Sequence, residues 1–116
     1  MKTAFRALIL ATITLLLAAC ATSSQESVWI DVRTEAEYSE DHIDGDNNIP
    51  LASIDTDMIA SQYGKDAEIN LYCRSGNRAG QAKEILEAAG FTNVNNVGGI
   101  DDVRELRNIA RSSAAN

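Results

Sequence analysis

The chain has 116 residues, of which 45% are hydrophobic, and it carries a net charge of −7. This length fits one domain. The acidic balance repels phosphate backbones and anionic headgroups, which argues against a nucleic-acid-binding or membrane-surface protein. One histidine and two cysteines are too few ligands for a cysteine-rich zinc site, so we expect neither a metal nor a cofactor.

Residues 1–19 have the pattern of a secretory signal peptide. Lys2 and Arg6 form a basic start, and residues 7–19 are apolar apart from two threonines. As a helix, this apolar stretch would span roughly 20 Å, which is short of the ~30 Å hydrocarbon core, so we expect cleavage and no transmembrane helix. Loss of Lys2 and Arg6 leaves eight basic and seventeen acidic side chains, a net charge of −9.

The leader ends in Leu17-Ala18-Ala19-Cys20, which resembles the lipobox of bacterial lipoproteins, whose cysteine becomes the lipid-bearing first residue. Ordinary cleavage after Ala19-Cys20-Ala21 also fits these small residues. We favour lipidation of Cys20, with residues 20–27 as a polar tether and the lipid as the only membrane contact. Ala21 favours the outer membrane in a Gram-negative cell. The alternative is a soluble periplasmic protein, so either route places the domain outside the cytoplasm.

Residues 28–111 alternate between strand and helix patterns, and residues 112–116 form a tail. Thr34 and Glu37 match a capping box, and Gly64 and Gly90 fit helix ends. The alternation predicts one α/β domain, expected to be a monomer, with a parallel sheet covered by helices on both faces. In chain order the predicted elements are strand Val28–Val32, helix Glu35–Asp41, strand Asn47–Leu51, helix Ala52–Tyr63 with Ile54, Met58 and Ile59 on its buried side, strand Glu68–Cys73, helix Arg78–Ala89, strand Phe91–Val97, a tight turn at Gly98-Gly99, and helix Asp101–Ala110.

An acidic run lies between the first two predicted strands. We interpret it as a solvated surface rather than a metal site. Its members are Glu35, Glu37, Glu40, Asp41, Asp44 and Asp46.

Cys73 ends a predicted parallel strand and precedes the loop 74–78, which leads into a helix. Ligands of open α/β sheets bind at this edge. Gly76 permits a tight curl, so backbone N–H groups of the loop can converge on the sulfur. These dipoles, together with Arg74 and Arg78, stabilise a thiolate and commonly bring a thiol pKa to ~3.5–7.5. If Cys20 is lipidated, Cys73 has no disulfide partner within the chain. A buried, inert cysteine is the alternative, but it requires neither arginine.

Five short motifs resemble those of the rhodanese-like sulfurtransferases, in the same order. The resemblance spans about residues 28–107. One departure is Val103, where many members have tryptophan, and this departure loosens the expected packing without touching the chemistry. The motifs are Cys73–Gly80, Ile30–Arg33 with Glu37-Tyr38, His42–Gly45 with Asn48–Pro50, Gly90-Phe91, and Val97–Ile100.

The resemblance implies that Cys73 takes the outer sulfur of a small anionic donor such as thiosulfate. The resulting persulfide passes this sulfur to cyanide or a thiol. We expect the loop residues Arg74, Ser75, Gly76, Asn77 and Arg78 to bind the substrate, and the two arginines are the best candidates for the anion because of their forked donors.

Two other functions remain open. A cysteine phosphatase or arsenate reductase also uses a thiolate in an anion-binding loop, but its spacing is C-x5-R, whereas Cys73 and Arg78 enclose four residues. The second is a noncatalytic sulfur carrier or binding lipoprotein.

Four further residues have structural interpretations. We expect Asp31 and Arg33 to form an internal ion pair. We expect His42 to pack or hydrogen-bond within a loop. Gly98 and Gly99 fit positive φ values or close backbone approach beside the site.

Overall fold

A computed structural model describes residues 26–111 of the chain. The predicted signal peptide, Cys20, most of the tether and the tail 112–116 lie outside these residues. In this range four strands alternate with four helices. The elements are β1 (Val28–Asp31), α1 (Glu35–Glu40), β2 (Asn47–Asn48), α2 (Thr56–Tyr63), β3 (Ile69–Cys73), α3 (Asn77–Ala88), β4 (Val94–Gly99) and α4 (Ile100–Arg107), with a 3-10 turn at Leu51–Ser53.

The four strands form one parallel sheet in the order β2-β1-β3-β4. Strand β3 is central, and all five of its residues are buried. In the register of the sheet, Asp31 lies beside both Asn48 and Tyr72, and Cys73 lies beside Gly99. The carboxyl ends of the strands therefore meet at one edge of the sheet, and Cys73 lies there. The predicted α/β fold is confirmed.

Alternation along β3 sends neighbouring side chains to opposite faces of the sheet. Leu71 and Cys73 join a core that includes Ile59 of α2 and Leu86 of α3. Tyr72 joins a second core that includes Val103 of α4. Helices thus cover both faces, as expected. Val103 is fully buried, so the position where the resemblance leads us to expect tryptophan is packed here by a smaller side chain.

The second predicted helix begins later than expected. A 3-10 turn follows Pro50, and Ile54 has extended backbone. The carboxylate of Asp55 then accepts a hydrogen bond from the Met58 N–H at 3.1 Å, which caps α2 at its true start. The predicted start at Ala52 was therefore wrong. Met58 is 47% exposed and lies outside the core, whereas Ile59 is buried.

The predicted bounds of the last strand and helix were also displaced. Gly90 has φ = 97°, and the N–H of Phe91 donates to the Leu86 carbonyl, so Phe91 closes the preceding helix and the strand begins at Val94. Gly98 and Gly99 do not form a separate turn. They are the last residues of β4 and follow an irregularity in its pairing with β3. Helix α4 begins at once with Ile100 and ends at Arg107, and the cap residue Asn108 that follows has φ = 53°.

No helix in residues 26–111 combines the length and apolar character needed to cross a bilayer.

Candidate active site

The loop 74–78 curls around the sulfur of Cys73. Cys73 is the last residue of β3, and it is 1% exposed. Gly76 has φ = 97°, a backbone conformation that residues with a Cβ rarely adopt. This conformation directs the Gly76 N–H to Cys73 Sγ at 2.9 Å. The loop therefore presents backbone donors to the thiol, as the glycine-containing sequence predicted.

Two opposing effects act on the Cys73 thiol. Burial raises the pKa of Cys73, because a charged sulfur loses solvation there. Hydrogen bonds from the backbone N–H groups of Ala79, Ser75, Gly76 and Arg78 lower it, and together they prevail, so the pKa lies below that of an ordinary cysteine. The loop and the first turn of α3 thus favour the thiolate, which is the nucleophilic form of cysteine.

Arg78, in the first turn of α3, is occupied by a carboxylate of α1. Its guanidinium donates to both oxygens of Glu37, at 2.6 and 3.0 Å. Glu37 also accepts from Thr34 in the capping box that starts α1. These donors, chiefly Arg78, lower the pKa of Glu37 to about 2. The side chain of Arg78 therefore ties α3 to α1, and its backbone N–H serves the thiol.

Arg74 has very different surroundings. It is exposed, and its guanidinium makes no hydrogen bond or ion pair with any residue of the range 26–111. Ser75 and Asn77 are also exposed. Ser75 contributes its backbone N–H to the thiol, and the amide oxygen of Asn77 accepts from Gln81 at 3.5 Å. Arg74 is thus the cation of the loop that remains available to a bound anion.

The end of β4 packs closely against the loop. A Cβ atom on Gly99 would clash with the carbonyl oxygen of Arg74, and one on Gly76 would lie 3.2 Å from the Gly98 Cα. Gly98 has φ = 105°. The prediction of positive φ or close approach at this glycine pair is confirmed, by positive φ at Gly98 and close approach at Gly99.

Two polar side chains that the sequence analysis did not single out hold this contact. The amide of Asn96 donates to the Gly76 carbonyl at 2.9 Å and accepts from the Gly98 N–H at 3.0 Å. The carboxylate of Asp102 accepts from the Gly99 N–H at 2.7 Å. Asp102 stands three residues after Gly99, a spacing typical of a helix start, which could have identified it. Asn96 had no comparable signal.

The interpretation of Asp31 and Arg33 as an internal ion pair is confirmed. Both are buried, and the Arg33 Nη2 lies 2.8 Å from the Asp31 carboxylate. Arg33 also donates to the Asp41 carbonyl at 2.6 Å. The expectation for His42 is confirmed as well, since its Nδ1 donates to the Tyr38 carbonyl at 2.9 Å and its ring stacks on that of Tyr38.

The interpretation of the acidic run as a solvated surface was wrong for three of its members. Glu37 binds Arg78. Asp41 forms an ion pair with Arg104 at 2.6 Å. Asp46 is buried, and its carboxylate accepts hydrogen bonds from Tyr72 and Arg107, both at 2.8 Å. Each partner lies at least 26 residues further along the chain, so only the tertiary fold brings the charges together. Among residues 26–111, no three acidic, histidine or cysteine side chains form a group that could hold a metal.

Cavities lie at both ends of the sheet in residues 26–111. Two of them, of about 400 and 330 Å³, share Val28 and Tyr63 in their linings and lie near the start of β1, away from the thiol. A smaller one, of about 220 Å³, lies beside the active-site loop and is called here the flanking pocket. Arg74, which directly follows Cys73, forms part of its wall, so the flanking pocket bears on the chemistry. It is lined by Arg33, Glu37, Glu40, Asp41, Arg74, Ile100, Asp101 and Arg111.

Known proteins are similar to this chain in sequence and fold. The rhodanese-like domain family matches residues 15–106. Thiosulfate sulfurtransferase PspE of Escherichia coli is 40% identical over 75 residues, which cover 65% of this chain and 72% of PspE. "Putative sulfur carrier protein YrkF" of Bacillus subtilis is 37% identical over 75 residues, or 64% of this chain and 40% of YrkF.

A solved structure of an E. coli rhodanese with anions superposes with a TM-score of 0.60 and 41% identity, covering 66% of this chain and 91% of the other. The family match, the 40% identity with PspE and the loop around Cys73 agree. The chain belongs to the rhodanese-like domain family.

Proposed function

We propose that this chain transfers sulfane sulfur from thiosulfate to a thiophilic acceptor through a persulfide on Cys73. The observation that carries the proposal is the Cys73 sulfur within a ring of backbone N–H groups, with its pKa lowered. The 40% identity of this chain with the thiosulfate sulfurtransferase PspE supports thiosulfate as the donor. As a rhodanese-type sulfurtransferase, the chain needs a nucleophilic sulfur and a place for sulfur-borne negative charge, and the loop offers both.

In the first step the Cys73 thiolate attacks the outer sulfur of thiosulfate. A bond forms between the two sulfurs as the bond from the outer sulfur to the sulfonate sulfur breaks, and sulfite leaves with that electron pair. The persulfide then carries the negative charge on its outer sulfur. Backbone N–H groups that face the Cys73 sulfur can stabilise this anion without rearrangement, which is where preorganised dipoles contribute most.

In the second step the acceptor, either cyanide or a thiolate, attacks the outer sulfur. The bond to Cys73 Sγ breaks, and the Cys73 thiolate is the leaving group. A thiolate of lower pKa leaves faster, so the N–H groups that favour the nucleophile also favour its release. No second cysteine is needed, and Cys73 is the only free cysteine of residues 26–111.

Arg74 is the residue that we assign to the sulfonate end of thiosulfate. It is exposed beside the loop, and its guanidinium is unpaired within residues 26–111. A guanidinium can donate two parallel hydrogen bonds to an oxyanion. We assign Arg78 a positioning role instead, because its guanidinium is paired with both oxygens of Glu37.

The same occupancy bears on the phosphatase alternative. A phosphatase loop needs its arginine free to hold a tetrahedral oxyanion, and the Arg78 guanidinium is paired. The spacing of four residues between Cys73 and Arg78 also shortens the ring. Both features favour a small outer sulfur over a phosphate group as the occupant.

The similarity to YrkF supports a second candidate, a sulfur carrier that is loaded but does not turn over. Mass spectrometry and kinetics separate the two functions. Thiosulfate should add about 32 Da to the peptide that contains Cys73, as one sulfur atom, and cyanide should remove it. Repeated thiocyanate production supports an enzyme, and a single loading event supports a carrier. Absence of the added mass, with Cys73→Ser as the negative control, would refute both.

We also propose that the domain works outside the cytoplasm, anchored by a lipid on Cys20. The support is the Leu17-Ala18-Ala19-Cys20 pattern after an apolar leader. A lipid chain contributes membrane affinity that the folded domain does not need for its own stability. Cys20→Ala should therefore move the protein out of the mature membrane-bound fraction while leaving the domain folded. Equal fractionation of variant and parent would favour ordinary secretion.

A further inference from the structure

The flanking pocket lies beside the start of the active-site loop and is linked to the end of the loop through Glu37. Arg74, at the start of the loop, forms part of its wall. Glu37, another wall residue, holds Arg78 at the end of the loop. Ile100 directly follows Gly99, which pairs with Cys73 across the sheet. A molecule in this pocket would therefore lie beside the loop that directly follows Cys73 and curls around its sulfur.

Seven charged residues line the flanking pocket, and five of them are already paired within the protein. Asp101 and Arg111 pair with each other. The other three paired residues of the lining bind partners that lie outside it. The remaining two charges are Arg74 and Glu40. Their side chains make no hydrogen bond or ion pair within residues 26–111, either with each other or with a third residue. The three pairs that reach outside the lining are Arg33 with Asp31, Glu37 with Arg78, and Asp41 with Arg104.

The pocket thus offers one cation and one anion without partners. A ligand that carries both a carboxylate and an ammonium group would complete both pairs, whereas a simple anion would satisfy Arg74 alone. The volume of about 220 Å³ is below the range of drug-sized sites and limits the ligand to a small metabolite. Among acceptors of sulfur, these properties describe a small dipolar thiol.

We propose that the flanking pocket is the acceptor subsite and that it selects a thiol with both charges, such as L-cysteine. Its carboxylate binds Arg74, and its ammonium group binds Glu40. This inference rests on the proposed sulfurtransferase function. Arg74 can serve both half-reactions, because sulfite leaves before the acceptor enters.

The step that this subsite serves is the second transfer. The acceptor thiol loses its proton to solvent, and its thiolate attacks the outer sulfur of the Cys73 persulfide. The new bond joins the acceptor sulfur to the outer sulfur as the bond to Cys73 Sγ breaks. The products are the Cys73 thiolate and the acceptor persulfide, and no external oxidant or reductant is consumed.

Single-turnover discharge tests the proposal. The protein is loaded with thiosulfate, freed of excess donor, and mixed with one of three probes: L-cysteine, cysteamine or 3-mercaptopropionate. For each thiol the rate of the variant is divided by that of the parent, so that differences in intrinsic nucleophilicity cancel. Glu40→Gln should slow discharge by the two ammonium-bearing thiols about fivefold, the size of one charged contact. Discharge by 3-mercaptopropionate should not slow, because this thiol has no ammonium group for Glu40 to bind.

Two further variants sharpen the result. Glu40→Lys should slow the ammonium-bearing thiols more than Glu40→Gln does and should accelerate 3-mercaptopropionate. Glu35→Gln, an exposed change on the same helix and outside the pocket lining, should leave all three rates unchanged. An equal effect of Glu40→Gln on all three thiols, or no effect on any, would overturn the acceptor subsite. If thiosulfate adds no sulfur to Cys73, the failure appears before any thiol is mixed and overturns the proposed function together with this inference.

Discussion

The active-site loop has an arginine at each end, and the surroundings of the two arginines differ. Arg74 follows the central strand, is exposed, and has an unpaired guanidinium within the described residues. Arg78 begins α3, and its guanidinium donates two hydrogen bonds to Glu37 of α1. The start of the loop therefore presents a charge to solvent, whereas the end of the loop is fixed to a neighbouring helix.

This difference shows that residue type and spacing do not assign a role by themselves. Both arginines have the chemistry to bind an oxyanion. Glu37, 41 residues before Arg78 in the chain, pairs with Arg78 and leaves Arg74 as the one of the two with an unpaired guanidinium within residues 26–111. Four predictions test the contrast, from the largest expected effect to the smallest.

The first prediction concerns the backbone that holds the start of the loop. Gly99→Ala should lower the free energy of unfolding by about 2–3 kcal/mol. The new Cβ would clash with the Arg74 carbonyl oxygen, and only a shift of the backbone could relieve this clash. Urea unfolding measures the loss. Gly80→Ala is the matched control. It lies within α3 with only an ordinary contact to Asn96, so it should be neutral or stabilising. Similar losses in both variants would contradict the close contact.

The second prediction concerns the free arginine. Arg74→Ala should lower kcat/KM for thiosulfate at least tenfold, about 1.4 kcal/mol of transition-state stabilisation. The free energy of unfolding should stay within about 0.5 kcal/mol of the parent, as is usual for an exposed side chain without partners. Steady-state kinetics with cyanide as acceptor and urea unfolding provide the two readings. A fully active variant would remove Arg74 from the donor site.

The third prediction concerns the paired arginine. Arg78→Ala should lower the free energy of unfolding by about 1 kcal/mol, the upper part of the range for a partly exposed ion pair, because the bidentate contact between α3 and α1 is lost. Its loss in kcat/KM should be smaller than that of Arg74→Ala. If Arg78→Ala has the larger kinetic effect and no effect on stability, the roles of the two ends of the loop are reversed.

The fourth prediction uses pH. The pKa of Glu37 is lowered from 4.5 to about 2 in the folded protein, so its contribution to stability is fully present above pH 4.5 and is lost as the pH falls towards 2. Glu37→Gln should therefore reduce the difference in unfolding free energy between pH 6 and pH 3 by a few tenths of a kcal/mol, as expected for a partly exposed carboxylate. An unchanged difference would show that the carboxylate is not held by Arg78 in solution.

Local sequence signals predicted much of the fold. The capping box at Thr34, the buried run that ends at Cys73 and the small residues of α3 each act over a few residues, and each was found in place. The thiol and its ring of N–H groups were also predictable, because a strand end, a glycine and a helix start suffice to place them.

Contacts between distant segments were not predictable in the same way. The partners of Glu37, Asp41 and Asp46 lie on α3, β3 and α4, and no local pattern in the sequence records how these elements come together. The start of α2 was missed for a different reason. The apolar spacing continues through Ile54, but the side chain of Asp55 offers the backbone a cap that begins the helix later.

The short strand β2 has a consequence for how the molecule meets its neighbours. It forms one border of the sheet with only two residues, and Pro50, which has no N–H to donate, follows soon after. The amide of Asn48 is turned inward, where it donates to the carbonyls of Asp31 and Arg33 at 3.0 Å. Short edge strands and proline both limit the addition of a strand from another chain. This edge of the sheet therefore offers too few free backbone hydrogen-bonding groups to start edge-to-edge aggregation with another molecule.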